Sequence, residues 1–468
     1  MSGPYDLVIL GSGTSAFAGA LRGAEMGARV LMVEQSHLGG TCVNWGCIPS
    51  KTLIHQAETY FEPRRSGPLG LDLRAGPPDC RRIMEAKRRA VETLRRENYQ
   101  QVLDANPDID VVRGHGRFIS PRELRVGAEI LVSDRFLIAC GGVPRNLPIP
   151  GLAEVGFLTS YSALHLPCFP RSLVIIGGGV IALEMGQMFS RFGTRVTILE
   201  RGERPLKEFD SRLTGLLRQL VTEEGMTLVF GAETRRAYRE GEDACLVAAV
   251  DGEERVLRAE QIMVAVGTAP ATCDIGLEEA GVKADRSGFI LTDAECRTSA
   301  PGIFAAGDVT GPPLIAPAGA REAEVAVENM LDSGAHRRID HRCTPMAVFI
   351  DPELAMVGDF PFPKEAALVE TYLDLQKVSK AHVMGGRRGA ILLCAERETG
   401  RIVGVQVLAP RAADVIHEAV LAVRLGLTVY DLAETVHVHP TISEGLRQAA
   451  LENIRQQGGR AAPAGKKG

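Results

Sequence analysis

Cys42 and Cys47 stand five residues apart in GGTCVNWGCIPSK (residues 39–51). In a reducing compartment a close cysteine pair points to redox catalysis or to metal. A zinc knuckle needs a shorter spacing and a second ligand pair, and no second pair lies nearby. A reversible disulfide fits better. Gly46 and Pro49 permit a tight turn, and Cys47 lies near an expected helix start, where the dipole end stabilises a thiolate. A static bridge over so short a loop would add little stability. The other eight cysteines (Cys80, Cys140, Cys168, Cys245, Cys273, Cys296, Cys343, Cys394) are scattered and read as small buried hydrophobes.

A second group of chemical interest is HVHPTISEGLRQAALE (residues 437–452). Histidine is the side chain best suited to move a proton near neutral pH, and forming a thiolate on a substrate dithiol needs such a group. Two other readings stand beside this one. Thr441 to Glu444 is a T-x-x-E capping box opening the last helix, which could be the whole purpose of Glu444. His437 and His439, two apart on an extended segment, could also bind metal, although two ligands make a poor site.

The elements that would carry these residues follow from an internal repeat. Residues 7–34 and 173–200 read as strand, glycine turn, helix and strand, and they align at a constant offset of 166. Gly11 matches Gly177, Gly13 matches Gly179, Ala16 matches Ala182 and Glu34 matches Glu200. Small residues in G-x-G-x-x-A let a backbone approach a pyrophosphate, and the helix start supplies free N–H groups for it. The acid ending each second strand is placed to accept from a ribose hydroxyl. Two copies in this context point to two dinucleotide sites rather than two plain turns. Asp308 sits in AAGDV, where the sequence alone reads equally well as a turn aspartate.

The 468 residues are 45% hydrophobic and 24% charged, a globular composition that excludes disordered and coiled-coil classes. A net charge of −5 gives no basic footprint for nucleic acid or membrane. The basic runs at Arg81–Arg82 and Lys87–Arg89 alternate with Glu85, Glu92 and Glu97 and read as a solvated helix face. No secretory signal and no membrane helix is expected, which places the protein in the cytoplasm. The texture predicts an α/β chain of two Rossmann-like dinucleotide-binding domains followed by an α+β C-terminal domain. The expected boundaries are 1–145, 146–267, a central segment 268–340 completing the first domain, and 341–468. A frayed tail is expected from residue 457.

GGTCVNWGCIPSK, the two fingerprints and AAGDV, in this order, resemble the flavoprotein pyridine nucleotide-disulfide oxidoreductases, the family of lipoamide dehydrogenase, glutathione reductase and mercuric reductase. The resemblance spans about residues 5–452. It implies FAD on the first unit and the nicotinamide nucleotide on the second. It further implies that Cys47 is the thiolate facing the flavin and Cys42 the thiol exchanging with substrate. Lys51 and Glu184 would pair beside the flavin, Asp308 would bind its ribityl chain, and His439 would be the acid–base oriented by Glu444. Without the resemblance, Lys51 and Glu184 are ordinary helix-surface charges. The family's last segment reaches the partner subunit's flavin, so a homodimer with a C-terminal dimerisation domain is implied. The sequence departs from the family pattern at Cys140, which stands where threonine is usual, at GDFPFPKEA, and at Trp45, the single tryptophan. Trp45 either packs on the adenine or flavin side of the loop or narrows the disulfide entrance.

Within that family GSGTSAFAGA, GGVIALEMGQMFSRFG and MAVFIDPELAMVG are most like mercuric reductase. Against that activity, the segment after Glu452 has no cysteine, position 439 is His before Pro, and no C-x-x-C domain precedes Tyr5. A soft metal needs thiolates to carry it inward, and one pair is a poor relay. The expectation is therefore dithiol–disulfide chemistry on a small dithiol or a lipoylated carrier protein, with Hg(II) reduction and a non-catalytic flavin scaffold as alternatives. The same tail speaks against a C-terminal redox centre of the thioredoxin reductase kind. Glu200 should repel a 2′-phosphate and favour NAD(H), although Arg201 and Arg204 follow it and leave NADP(H) open.

Overall fold

In the computed structural model, which describes residues 5–362 and 367–458, the two repeats fold into the same unit. Leu7–Leu10 and Val30–Glu34 pair in parallel around the helix Thr14–Glu25. Ser172–Ile176 and Arg195–Leu199 do so around the helix Val180–Arg191. The first strand of each unit is buried throughout, as expected where both faces of a parallel sheet are covered. The glycine turns superimpose in conformation: Gly11 and Gly177 both have φ +112°. A Cβ there would come within 2.4 Å of the Ala139 carbonyl oxygen and 2.3 Å of that of Ala265. Only glycine satisfies both conditions.

The first sheet has the order Ile303–Ala305, Phe136–Ile138, Leu7–Leu10, Val30–Glu34, Ile109–Arg113, so its edge strand returns after the second unit is complete. The second has the order Thr227–Val229, Arg195–Leu199, Ser172–Ile176, Gln261–Val264. Each carries a three-stranded antiparallel meander as well, within residues 116–132 and 233–259. The C-terminal part is an antiparallel five-stranded sheet in the order Met346–Val348, Glu353–Gly358, Ile402–Ala409, Ala390–Glu396, Leu368–Asp374. The α/β architecture with an α+β C-terminal unit is thus what the chain adopts.

Strands 390–396 and 402–409 are apolar almost without alternation because both their faces are covered. Ile391, Leu393, Val405 and Val407 pack on the helices Ala412–Leu425 and Glu444–Gln456. Ala390, Leu392 and Leu408 face the other way, into a cluster with Leu53 and Ala57 of the helix Cys47–Phe61 and with Met185, Met188 and Phe189 of Val180–Arg191. Every methylene removed from water in such a cluster contributes about 0.8 kcal/mol. The C-terminal unit is therefore packed onto the helix that begins at Cys47.

Polar contacts at the same junction come from one face of Val180–Arg191. Glu184, Gln187 and Arg191 lie at i, i+3 and i+7, and all three reach residues 349–351. Gln187 exchanges two hydrogen bonds with the Asp351 backbone, at 2.8 and 2.9 Å. Arg191, 3% exposed, pairs with Glu224 at 3.0 Å and Asp351 at 3.1 Å and lies over the Phe61 ring. Arg65 pairs with the same two carboxylates. Burial pushes the Asp351 carboxyl up, but the Arg191 and Arg65 guanidiniums outweigh it and hold it below the usual range.

The helix Cys80–Arg95 corrects one expectation. Arg88 and Arg89 do lie on a solvated face with Glu85 and Glu92. Lys87 does not: it is buried and donates to the Leu164 carbonyl at 2.8 Å, fastening the helix to the start of the second unit. Among the described residues no helix is long and apolar enough to cross a membrane. The tail beyond residue 458 lies outside the described residues, as do positions 363–366 of GDFPFPKEA.

Removing one member of a buried ion pair costs about 3–5 kcal/mol, and Arg65 remains to hold both carboxylates, so Arg191→Leu should cost about 3 kcal/mol, read from urea midpoints at pH 7. A depressed folded pKa gives stability that is present above the unfolded value and lost as pH falls. The gap between variant and unmodified protein should therefore close below about pH 4.

Candidate active site

The loop bearing the cysteines is held against the first glycine turn. Gly39 N–H donates to the Ser12 carbonyl at 2.9 Å, and Gly40, at φ +56°, passes so close that a Cβ would lie 2.7 Å from Gly13 Cα. One helical turn, Gly40–Asn44, carries Cys42. Asn44 closes that turn by donating to the carbonyls of Leu38 (2.9 Å) and Gly40 (2.8 Å), while Arg95 donates to its side-chain oxygen. The chain then bends at Trp45 and Gly46, and Cys47 is the first residue of Cys47–Phe61. A helix start near Cys47 is expected, and the helix begins at Cys47 itself.

Both cysteines are free thiols here, and their environments separate them. The neighbouring Cys42 thiol favours a thiolate on Cys47, which outweighs burial and, aided by the Lys51 charge, lowers Cys47 to about 7. Cys42 is pushed far up, first by the neighbouring Cys47 and then by burial. Of the two, Cys47 is therefore the one that ionises near neutral pH. Lys51, one turn further along the helix, donates from Nζ to Glu184 Oε2 at 2.7 Å and sits 4.9 Å from the centroid of the Phe349 ring. Glu184, 3% exposed, also accepts the Phe349 N–H at 2.9 Å on Oε1. Cys140 is a different case: its thiol donates to the Ala271 carbonyl, and burial pushes it up to about 12, beyond reactivity.

Both helix starts suit a diphosphate. Gly13 and Gly179 precede helices with no side-chain cap and no acid in the first turn, and a Cβ at Gly179 would meet nothing. Thr14 Oγ1, at the first of these starts, is buried without a well-formed hydrogen bond. Ala16 and Ala182 are buried where helix meets sheet. Asp308 begins a short turn after Ile303–Ala305, and burial raises its carboxyl. It makes no hydrogen bond among the described residues, which leaves it free for a hydroxyl-bearing chain.

The two strand-end acids are less free than the sequence suggests. Glu34 accepts from Ser12 Oγ at 2.5 Å and from the Ser36 N–H. Glu200 accepts from the N–H groups of Gly178 and Gly202, each at 2.6 Å. Each acid thus braces its own glycine turn. Arg204 is spent on the carbonyls of Phe209 and Lys207, whereas Arg201 is exposed.

His437 and His439 have separate partners. His437, with 6% of its side chain exposed, pairs with Glu418 at 2.8 Å. His439, 66% exposed, pairs through Nδ1 with Glu444 at 2.9 Å. Among the described residues no group of three metal-ligating side chains exists. The capping box is half formed: Glu444 Oε2 accepts the Thr441 N–H at 2.9 Å, but the Thr441 hydroxyl donates to the Val438 carbonyl instead. The Thr441 N–H and then His439 hold the Glu444 carboxyl below the usual range. Within one chain, then, Cys42, Cys47, Lys51 and Glu184 form one group and His439 and Glu444 another, with no hydrogen bond between the groups. Sequence reasoning missed Phe349, Gln187 and Asp351: Phe349 acts through its backbone N–H, and the partners of Gln187 and Asp351 lie far away in sequence, so no local pattern marks them.

Residues 5–329 match the model of the pyridine nucleotide-disulphide oxidoreductases, and residues 344–450 match that family's dimerisation domain. The chain is 37% identical over 455 residues to a mercuric reductase of Staphylococcus aureus, covering 96% of this chain and 82% of that one. It is 37% identical over 456 residues to a dihydrolipoyl dehydrogenase of Thermus scotoductus, covering 95% and 96%. Among solved structures, the HOCl-induced flavoprotein disulfide reductase RclA from Escherichia coli superposes with a TM-score of 0.86 at 28% identity, over 96% of this chain and 99% of that one.

If the Cys47 thiolate is held as described, the long-wavelength absorbance of a thiolate against bound oxidised flavin should titrate with a midpoint near 7 in the two-electron-reduced protein. Lys51→Met should move that midpoint up toward the ordinary thiol range of about 8.5. A midpoint that Lys51→Met leaves in place would remove the ammonium from the account.

Proposed function

The chain belongs to the pyridine nucleotide-disulphide oxidoreductase family, and on that premise we propose that it is a dihydrolipoamide dehydrogenase-type, FAD-dependent dithiol–disulfide oxidoreductase working with NAD(H) as a cytoplasmic homodimer. The observation that carries the choice is the exposed His439 with its Nδ1 on Glu444. That contact leaves Nε2 free to take a proton from a thiol, and the carboxylate stabilises the imidazolium that results. Val436 and Val438 beside it are 94% and 78% exposed, apolar surface that a second copy would cover.

In the proposed reaction His439 of the partner subunit takes one thiol proton from the substrate dithiol. The substrate thiolate attacks Cys42 of the oxidised pair, the Cys42–Cys47 bond breaks, and Cys47 leaves as a thiolate. The second substrate sulfur then attacks the first, releasing a cyclic disulfide. Cys42 departs with a proton returned by His439, and the second thiol proton passes to solvent. The pair has gained two electrons, and Lys51 keeps the negative charge on Cys47. FAD would be held at Gly11, Gly13, Ala16, Glu34 and Asp308, and would supply the electron sink between this dithiol and a nicotinamide that would be held at Gly177, Gly179, Ala182 and Glu200. Lys51 and Glu184, paired beside the cysteines, would face the flavin.

A metal reading has its own support in the relatives named mercuric reductase. The two readings separate on His439. Removing a positioned acid–base costs about 10²–10⁴ in rate, so His439→Gln should suppress dihydrolipoamide turnover by that order while flavin reduction by NADH stays near normal. Turnover of Hg(II) but of no dithiol, unchanged by His439→Gln, would favour the metal reading instead.

The nucleotide is tested separately. Glu200 borders the site expected for the adenosine ribose, and Arg204 is engaged elsewhere, so NADH should exceed NADPH in kcat/KM. Glu200→Ala should narrow the gap mainly by rescuing NADPH. A native preference for NADPH would assign the control to Arg201.

A further inference from the structure

Tyr161 grips both ends of the cysteine loop from another part of the chain. It sits in the short helix Ser160–Ala163, whose start is fixed by a complete capping box between Thr159 and Ser162. Its hydroxyl donates to the Gly142 carbonyl at 3.1 Å. That commits the only phenolic proton, so in the 2.9 Å contact with Thr41 the threonine is the donor. Its ring stacks on Trp45, with centroids 5.9 Å apart and planes at 22°, and Trp45 meets His37 edge-on at 5.4 Å on another side. Thr41 directly precedes Cys42, and Trp45 lies two residues before Cys47. Between these anchors Asn44 fixes the turn Gly40–Asn44, and the bend after it is held by the Trp45 N–H on the Thr41 carbonyl and the Ser50 N–H on the Gly46 carbonyl.

We infer that Tyr161 is a positioning residue for the redox pair, holding Thr41 and Trp45 in register so that the Cys42 thiol stays directed at Cys47. This rests on the reading of Cys42 and Cys47 as the redox centre. The charge on Cys47 depends on the placement of the Cys42 thiol and the Lys51 ammonium around it, so a small shift of either end of the loop changes it. The phenol is suited to the task because it stays protonated at neutral pH. Burial raises it first, and the nearby Asp308 carboxylate adds to that against the Thr41 hydrogen bond. Trp45 accordingly packs on Tyr161 and His37, as part of the bracket.

The test uses the holoenzyme in its two-electron-reduced form. Tyr161→Phe keeps the ring stack and loses both hydrogen bonds, and it should move the pH midpoint of the thiolate–flavin absorbance up from near 7 by about half a unit to one unit. Tyr161→Ala, which loses the stack as well, should move it further and shift the emission of Trp45, the single tryptophan. Thr41→Val deletes only the donor to the phenol. It should repeat the Tyr161→Phe shift, and it carries the test if either tyrosine variant fails to fold. Midpoints within about 0.2 units of the unmodified protein in Tyr161→Phe and Thr41→Val would overturn the inference. An absorbance that is missing from the unmodified protein, or that survives Cys47→Ser, would instead overturn the reading of the cysteine pair on which it rests.

Discussion

Glu184 is the carboxylate on which the site depends. It is buried, it receives the Lys51 ammonium on one oxygen, and it receives the Phe349 N–H on the other. Lys51 belongs to the helix that begins at Cys47, Glu184 to the helix of the second repeat, and Phe349 to the C-terminal unit. An unpaired buried carboxylate would cost several kcal/mol, so the three parts are held in the arrangement that pairs it. The same pairing fixes an ammonium one turn from the Cys47 sulfur. The contact that helps assemble the fold thus also places one of the charges that favour the thiolate on Cys47.

The surrounding contacts protect that arrangement. Gln187 and Arg191 extend the polar seam along the same helix face, and the apolar cluster from Leu53 to Leu408 closes over it. On the opposite side Asn44 and the glycine turn hold the loop against the first sheet. Rigidity of this kind suits a centre that must pass between disulfide and dithiol with little movement. The pair His439 and Glu444 is organised independently, on a segment with exposed Val436 and Val438, and in the proposed dimer it would meet the cysteines of another copy. Within a single chain the two groups share no hydrogen bond.

Much of this was legible in the residues. The constant offset between the repeats announced two equivalent turns, and their glycines share one φ because the same carbonyl approach forbids a side chain in both. Gly46 and Pro49 marked a tight turn with a helix start close by, and the helix begins at Cys47. Other features were hidden for physical reasons. Lys87 looked like part of a charged face, and its burial depends on a carbonyl 77 residues away, which no local pattern encodes. Glu34 and Glu200 read as ribose acceptors, yet both also brace their own turns, a local contact that the fingerprint spacing does not reveal. The pairing of Lys51 with Glu184 came from family resemblance alone, since neither spacing nor composition links residues so far apart. Phe349 contributes a backbone N–H and an aromatic face, and its partner was invisible until the chain was folded.

The central claim is that electrons entering from a nicotinamide reach Cys42 and Cys47 and stop there when no disulfide substrate is present. Anaerobic treatment of the oxidised holoenzyme with NADH, followed by thiol labelling in denaturant and peptide mapping, tests it most directly. The account predicts two new thiols per chain, both on the peptide that contains Cys42 and Cys47. No gain in thiols, or a gain at any other cysteine, would contradict it.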